Sequence, residues 1–289
     1  MIAPSQGLTP ADLIGDSPEL SSPPLVYRRL VEVINHPRGG AGDVANVISQ
    51  DTALTARLLK LVNSAFFSFP RKIETVSQAV SVVGTSQVRD LSLATSVTDV
   101  FKSVAPDVMD VAGFWKHSLA CGVGARVIAS LRKESNVERF FVAGILHDIG
   151  RLVFILRAPD QARLVMQRAG ERGALLFETE REMLGFDHGR IGGALMEHWS
   201  MPESLREAVR SHHEPVKATR YPLEAATIHV ADIMANALRL GGSGERFVPP
   251  MSASAWSSLG LDPQMMPFAV EQIDREYAAS VHFLGLEEA

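Results

Sequence analysis

The stretch that most limits what this chain can become is Phe141-Val142-Ala143-Gly144-Ile145-Leu146-His147-Asp148-Ile149-Gly150-Arg151-Leu152-Val153. It is apolar enough to belong in a core, yet it carries an adjacent imidazole and carboxylate at its centre. Burying an ionisable pair is costly unless something compensates it. The fold must therefore bring a partner to residues 147 and 148. A divalent metal ion is the most economical one, because neutral imidazole and carboxylate are both good ligands for borderline or hard cations. Further donors of this kind are spread along the chain: His117 in Phe-Trp-Lys-His-Ser-Leu, His188 in Phe-Asp-His-Gly-Arg-Ile-Gly, His212 and His213 in Ser-His-His-Glu-Pro, and Asp232 in His-Val-Ala-Asp-Ile-Met-Ala.

Around this stretch the periodicity is helical almost throughout. Leu25 to Ile34 carries one apolar face and is stopped by Asn35 and Pro37. Asp43 is read as the N-cap of Val44 to Ser49, and Asp51 as that of Thr52 to Asn63. Thr75 with Gln78 has the form of a capping box, and Gly84 closes that helix. Ser86 is placed as the cap of Gln87 to Val100. Glu138 to Leu156 reads as a near-continuous apolar helix, with Gly144 and Gly150 as points where other backbones approach closely. A turn and then a helix from near Asp187 are expected within Glu178 to Trp199. Further helices run from Pro202 at N1 to about Ser211, and from Leu223 to Leu240. Gly241-Gly242-Ser243-Gly244 is the clearest breaker, and Pro263 to Leu284 is a terminal helix with Phe268, Val270, Ile273 and Tyr277 on one side. Strand signals are almost absent, so the fold class is all-α.

The totals exclude several classes. With 46% hydrophobic and 21% charged residues among 289, the chain is too apolar for disorder. A net charge of −5 argues against a nucleic-acid-binding protein. No apolar run approaches a membrane span, there is no secretory leader, and the one cysteine excludes an internal disulfide. The expected setting is cytoplasmic. Cys121 reads as a core thiol rather than a nucleophile. Trp115 and Trp199 read as core anchors, and His36, His198, His229 and His282 as ordinary residues. Glu214 is either an exposed charge or the orienting partner of an imidazole.

The order His117, His147-Asp148, His188, His212-His213-Glu214, Asp232 resembles the HD superfamily of metal-dependent phosphohydrolases, especially the HD-GYP cyclic di-GMP phosphodiesterases. The string Ile48-Ser49-Gln50-Asp51-Thr52-Ala53-Leu54-Thr55-Ala56-Arg57-Leu58-Leu59-Lys60-Leu61-Val62-Asn63-Ser64-Ala65 is similar to the segment that opens HDOD domains, a regulatory branch of those enzymes. So are Ile73 to Gly84 and Val88-Arg89-Asp90-Leu91. The similarity runs from about Pro24 to about Leu240. It implies an HD-superfamily helical fold preceded by an N-terminal helical lobe. The expected division is an extended arm over 1–23, that lobe over 24–105, an HD-like lobe with the site over 106–240, and a helical extension over 241–289.

The resemblance also implies two divalent ions, iron or manganese first, with zinc or nickel as substitutes. His117, His147, Asp148 and Asp232 would hold one, and Asp148, His188, His212 and His213 the other. Three departures from the HD-GYP pattern matter. The Asp-Gly-x-Gly-Tyr-Pro loop after the His-His pair is replaced by Pro215-Val216-Lys217-Ala218-Thr219-Arg220. Arg151 stands where a lysine is usual, as a candidate phosphate contact. Gly113 lies where some relatives have a glutamate, so no third metal is expected. The leading expectation is thus an HDOD regulatory module that binds a signalling protein or a nucleotide or phosphate ligand and is no catalyst. With no receiver domain attached, its input would come from outside. A metal-dependent phosphohydrolase is the alternative, and a purely structural metalloprotein the third reading.

Overall fold

The structure is a computed structural model that describes residues 7–281 apart from 16, 19, 65, 66 and 68; the expectations for His282 and for the end of the terminal helix lie outside the described residues. Sixteen α-helices occur among the described residues, and no strand. They are α1 (Pro10–Ile14), α2 (Leu25–Asn35), α3 (Ala41–Ser49), α4 (Thr52–Val62), α5 (Val76–Val83) and α6 (Thr85–Ser96), then α7 (Val111–Leu131), α8 (Glu138–Leu146), α9 (Ile149–Arg157) and α10 (Pro159–Arg172). The rest are α11 (Leu176–Leu184), α12 (His188–His198), α13 (Glu203–Ser211), α14 (Pro222–Ala237), α15 (Ala253–Leu259) and α16 (Met266–Ser280). None of these helices is long and apolar enough to cross a membrane.

Local capping explains several of the boundaries. Asp51 accepts the Leu54 amide at 2.9 Å, and Thr75 and Gln78 form the anticipated capping box. Asp43 differs from expectation. Its carboxylate reaches back to the Gly40 amide at 3.0 Å, so α3 starts at Ala41 and Asp43 sits in its first turn. Similarly, Gly84 and not Ser86 precedes α6, and Pro202 sits just before α13 rather than within it. Residues 1–23 were expected to be extended. Instead Thr9 and Asp12 cap the one-turn helix α1, and Leu13, Ile14 and Leu20 are buried. Arg157 donates to the Leu13 carbonyl at 3.1 Å and the Trp199 indole to that of Leu20 at 2.8 Å, which ties this segment to α9 and the end of α12. One turn of helix needs no sustained period, so periodicity cannot find it. On α16 Phe268 faces solvent, and the buried side is carried by Ala269, Ile273, Glu276 and Ser280.

One contiguous set of buried side chains runs from Leu13 to Ile273. At its centre α7 packs against α8, α14 and α16, while α9 packs against α12 and α12 against α13. The N-terminal helices join through α6, which lies on α8. Two glycines allow close approaches between helices. A methyl group at Gly144 would come within 2.6 Å of the Gly122 backbone in α7, and one at Gly150 within 1.9 Å of the His188 carbonyl in α12. The segment Glu138 to Leu156, expected to be one helix, is broken at residues 147 and 148. Asp148 has φ −96° and ψ 6° and serves as the N-cap of α9. The break turns this pair into the middle of the molecule.

If these approaches position α9 on α12, Gly150→Ala and Gly144→Ala should each lower stability by roughly 1–3 kcal/mol or more through overpacking. Gly42→Ala, where nothing lies within 4 Å, should be neutral or gain about 0.5 kcal/mol. Urea denaturation midpoints of the three variants check this ranking.

Candidate metal centre

Five elements deliver the seven side chains singled out in the sequence. His117 projects from the middle of α7, whose length is fixed at its start by Asp110 accepting the Gly113 amide. His147 and Asp148 come from the α8–α9 break, and His188 opens α12 behind its N-cap Asp187. His212 follows the last residue of α13 with His213 beside it, and Asp232 lies on α14. His213 is partly buried; the other six are 5% exposed or less.

The imidazoles are aimed by hydrogen bonds at their outer nitrogens. His147 Nδ1 donates to the Gly144 carbonyl at 2.7 Å and His212 Nδ1 to that of Val209 at 2.8 Å. His188 Nδ1 donates to Glu180 at 2.6 Å. Each of these bonds fixes the tautomer and turns Nε2 inward. His213 is stacked on Phe177, with ring centroids 4.1 Å apart. Its Nε2 lies 2.7 Å from that of His188.

The inward atoms converge on Asp148. His188 Nε2 is 2.9 Å from Oδ1, His212 Nε2 3.6 Å from Oδ1, and His147 Nε2 3.4 Å from Oδ2. On the other flank Asp232 Oδ1 is 3.1 Å from His117 Nε2 and 3.5 Å from His147 Nε2, and is steadied by the Asn236 amide at 2.8 Å. His147 Nε2, His212 Nε2 and both Asp148 oxygens are buried without a well-directed hydrogen bond, despite the short separations. Unsatisfied buried polar atoms of this kind are uncommon and call for an explanation. Donor atoms of Asp148, His188, His212 and His213 fall within 4.8 Å of one another, as do those of His117, His147 and Asp148. The donor set and its orphaned atoms therefore fit divalent cations, with Asp148 common to both groups.

Opposite charges within the cluster offset part of the cost of burying it. Burial raises the cost of ionising Asp148, but Arg151 and then the His147 and His188 imidazoles outweigh it and hold the carboxyl well below the usual range. Burial likewise opposes ionisation of Asp232, and the His117 and His147 imidazoles beside it hold that group low too. Burial disfavours protonated His147, yet Asp148 pushes it well above its ordinary value. Burial and Arg151 disfavour protonated His188, and Glu180 and Asp148 overcome them, raising it to about 9. Burial depresses both His212 and His213, and the neighbouring imidazoles push His213 down further.

Arg151 does not face a solvent-open phosphate site. It is 3% exposed, donates to the Ser243 carbonyl at 2.7 Å and approaches Asp148 Oδ2 at 3.4 Å. Ser243 belongs to the glycine-rich breaker, which folds over the centre as a strap. Gly242 donates to the Gly113 carbonyl at 2.9 Å, and Gly241, with φ +76°, lies so close that a Cβ would be 2.2 Å from the His117 amide nitrogen. The Gly113 carbonyl thus anchors the strap, while a side chain at position 113 would meet the Asp110 carboxylate.

Asn236, Glu180 and His229 are orienting residues that were not singled out from the sequence. Glu180 lies on the buried face of α11 with Leu176 and Phe177, a helical spacing that could have disclosed it. His229, read as ordinary, donates from Nδ1 to the His212 carbonyl at 2.7 Å. Glu214 does not orient an imidazole. It pairs with Arg181 and Lys217 near the surface. Cys121, Trp115 and Trp199 are buried as expected, and burial raises the Cys121 thiol.

The family model for the HDOD domain matches residues 20–215. An uncharacterized protein of Treponema pallidum (strain Nichols) is 29% identical over 204 residues, which is 70% of this chain; the chain spans about two fifths of that relative's length, 39%. The fold is similar to that of an HDOD domain protein of unknown function from Geobacter sulfurreducens, with a TM-score of 0.76, 26% identity and coverage of 91% of this chain and 92% of that one. It is also similar to a candidate phosphohydrolase from Shewanella amazonensis SB2B, with a TM-score of 0.72 and 24% identity over 93% of this chain and 99% of that one.

Protons should be removable with a predictable sign. A group raised to about 9 from 6.5, as His188 is, contributes stability that is complete below about pH 6.5 and lost as pH climbs through about 9. His212 and His213 act oppositely, contributing stability above their ordinary value and losing it as pH falls. Chelator-treated protein should therefore melt at lower temperature toward pH 9.5 than at pH 7. In His188→Asn the alkaline decline should shrink, and an unchanged decline would contradict this charge assignment.

Proposed function

The chain belongs to the HDOD domain family, and from that premise we propose that it is a signal-transduction module that works by binding, with an enclosed pair of divalent ions at its centre, and not by turnover. The observation that carries this reading is the closure of the site. Arg151 is 3% exposed and tied to the Ser243 carbonyl, so a phosphate coming to it would have to displace the Gly241–Ser243 strap.

On this reading His117, His147, Asp148 and Asp232 hold one ion, and Asp148, His188, His212 and His213 the other. An imidazole-rich, carboxylate-sharing set suits iron or manganese, with zinc or nickel as substitutes. When bound, such ions supply positive charge and a polarised water. The chain's own residues do the remaining work. Glu180, Gly144 and Val209 keep the His188, His147 and His212 rings turned inward, and Asn236 orients Asp232. Arg151 neutralises the flank of Asp148 that faces the strap. The output is recognition by a signalling protein in the cytoplasm, through the helices that the filled centre holds in place.

A phosphohydrolase reading has one observation in its favour. Arg151 lies 3.4 Å from both Asp148 Oδ2 and His188 Nε2, so a strap that opened would leave a guanidinium beside the donors, suited to a phosphate oxygen. Substrate would then be a phosphodiester or nucleotide, cyclic di-GMP included.

Metal analysis of protein purified without added metal, followed by assay of an aryl phosphodiester and of cyclic di-GMP with iron or manganese supplied, separates the two. We expect about two ions per chain with no turnover of either compound, and loss of most of the metal in Asp148→Ala. Turnover would overturn the binding reading, and full occupancy in Asp148→Ala would overturn the ligand assignment.

A further inference from the structure

A cavity of about 200 Å³ opens between α2 and α6 on one side and α8, α13 and α14 on the other, and shares no residue with the His/Asp centre. Leu93, Val142 and Leu205 give it an apolar wall. Its charged groups cancel: Arg89 and Asp90 come from α6, Arg139 from α8 and Glu224 from α14.

Several polar atoms around it are left over by the protein. Arg89 directs Nε and Nη2 to the same oxygen of Asp90, at 2.7 and 2.6 Å, so Oδ2 has no hydrogen bond among the described residues. Burial pushes the Asp90 carboxyl up in spite of Arg89 beside it. Tyr27 is 5% exposed, and its hydroxyl also lacks a partner among the described residues. Arg139 gives Nε to Glu224 at 3.2 Å and Nη2 to Glu134 at 3.4 Å, leaving Nη1. Asn136 accepts the Arg139 amide through Oδ1 at 3.3 Å, leaving its NH2 group.

We propose that this cleft binds a small zwitterion of the free amino-acid class. Its carboxylate meets Arg139 and Asn136, its ammonium meets Asp90 with Tyr27 alongside, and its apolar side chain lies against Leu93, Val142 and Leu205. The zero net charge of the lining disfavours nucleotides, whose phosphates would face two carboxylates. The volume lies below the roughly 300–1,000 Å³ of sites for larger organic ligands.

The location gives the ligand leverage. Val142 and Ala143 precede His147 by about one turn, Leu205 precedes His212 by about two, and Glu224 precedes Asp232 by about two. An occupant therefore bears on three helices that deliver the candidate metal donors, and by linkage it alters metal affinity by the factor that metal alters its own. That coupling rests on the metal reading, whereas the binding itself does not.

Calorimetric titration of the full chain in chelator tests the site with L-leucine, L-methionine and L-phenylalanine as probes. At least one should bind saturably at one per chain. Isoamylamine and 4-methylpentanoate, each carrying half of the leucine charge pair, should not. Asp90→Asn should weaken binding about tenfold or more and Tyr27→Phe, a milder packing change, about threefold. Failure of all three amino acids to bind, equal binding of either half-analogue, binding of AMP in their place, or unchanged affinity in Tyr27→Phe would each overturn the proposal. Because chelated protein is used, a failed metal assignment leaves this test intact.

Discussion

Ionisable groups inside a helical core set the terms for everything else in this molecule. Taking one carboxylate out of water costs several kcal/mol even after relaxation, and two carboxylates with five imidazoles and a guanidinium are gathered in one interior. The cost is tolerable only if opposite charges meet at short range and the remaining lone pairs are used. Asp148 meets Arg151, His147 and His188, and Asp232 meets His117 and His147. Protons can satisfy part of this arrangement. They leave His147 Nε2, His212 Nε2 and the Asp148 oxygens poorly used, and that residue of unsatisfied valence is what the proposed cations would remove.

The surrounding fold reads as the means of holding these groups in register. α7, α8 and α14 form the packed centre, and the contacts of α9 with α12 and α12 with α13 carry the remaining donors to the same place. Glycines matter here because of backbone proximity. Gly150 lets α9 lie on the His188 carbonyl, and Gly241 lets the strap reach the His117 backbone. The strap and Arg151 also close the centre. A buried arginine bonded to a carbonyl of its own cover couples access to the site with the position of one loop.

Much of this was legible from local chemistry. The apolar run around His147-Asp148 announces a buried charge in need of partners, and the caps at Asp51 and Thr75 and the helix start expected near Asp187 are kept by the structure. What escaped depends on tertiary contacts. The break between α8 and α9 interrupts an apolar pattern that carries no helix breaker at residues 147 and 148, since convergence on Asp148 and not propensity ends the helix there. α1 is too short to have a period, and its burial is visible only once α9 and α12 are beside it. Glu180 was hidden in a segment taken for a turn, and the alternatives for Glu214 could be separated only by seeing that it pairs with Arg181 and Lys217. Arg151 was visible as a cation near the pair, but its commitment to Ser243 joins residues 92 positions apart.

The central claim is that these side chains converge because cations make their burial favourable. Anomalous X-ray scattering from crystals of protein grown and purified without added metal, collected at the iron, manganese and zinc edges, tests it at the atomic position. The account predicts two anomalous peaks flanking the Asp148 carboxylate, one toward His117 and Asp232 and the other toward His188 and His213. Density for ordered water alone at both places, with no anomalous signal at any edge, would contradict it.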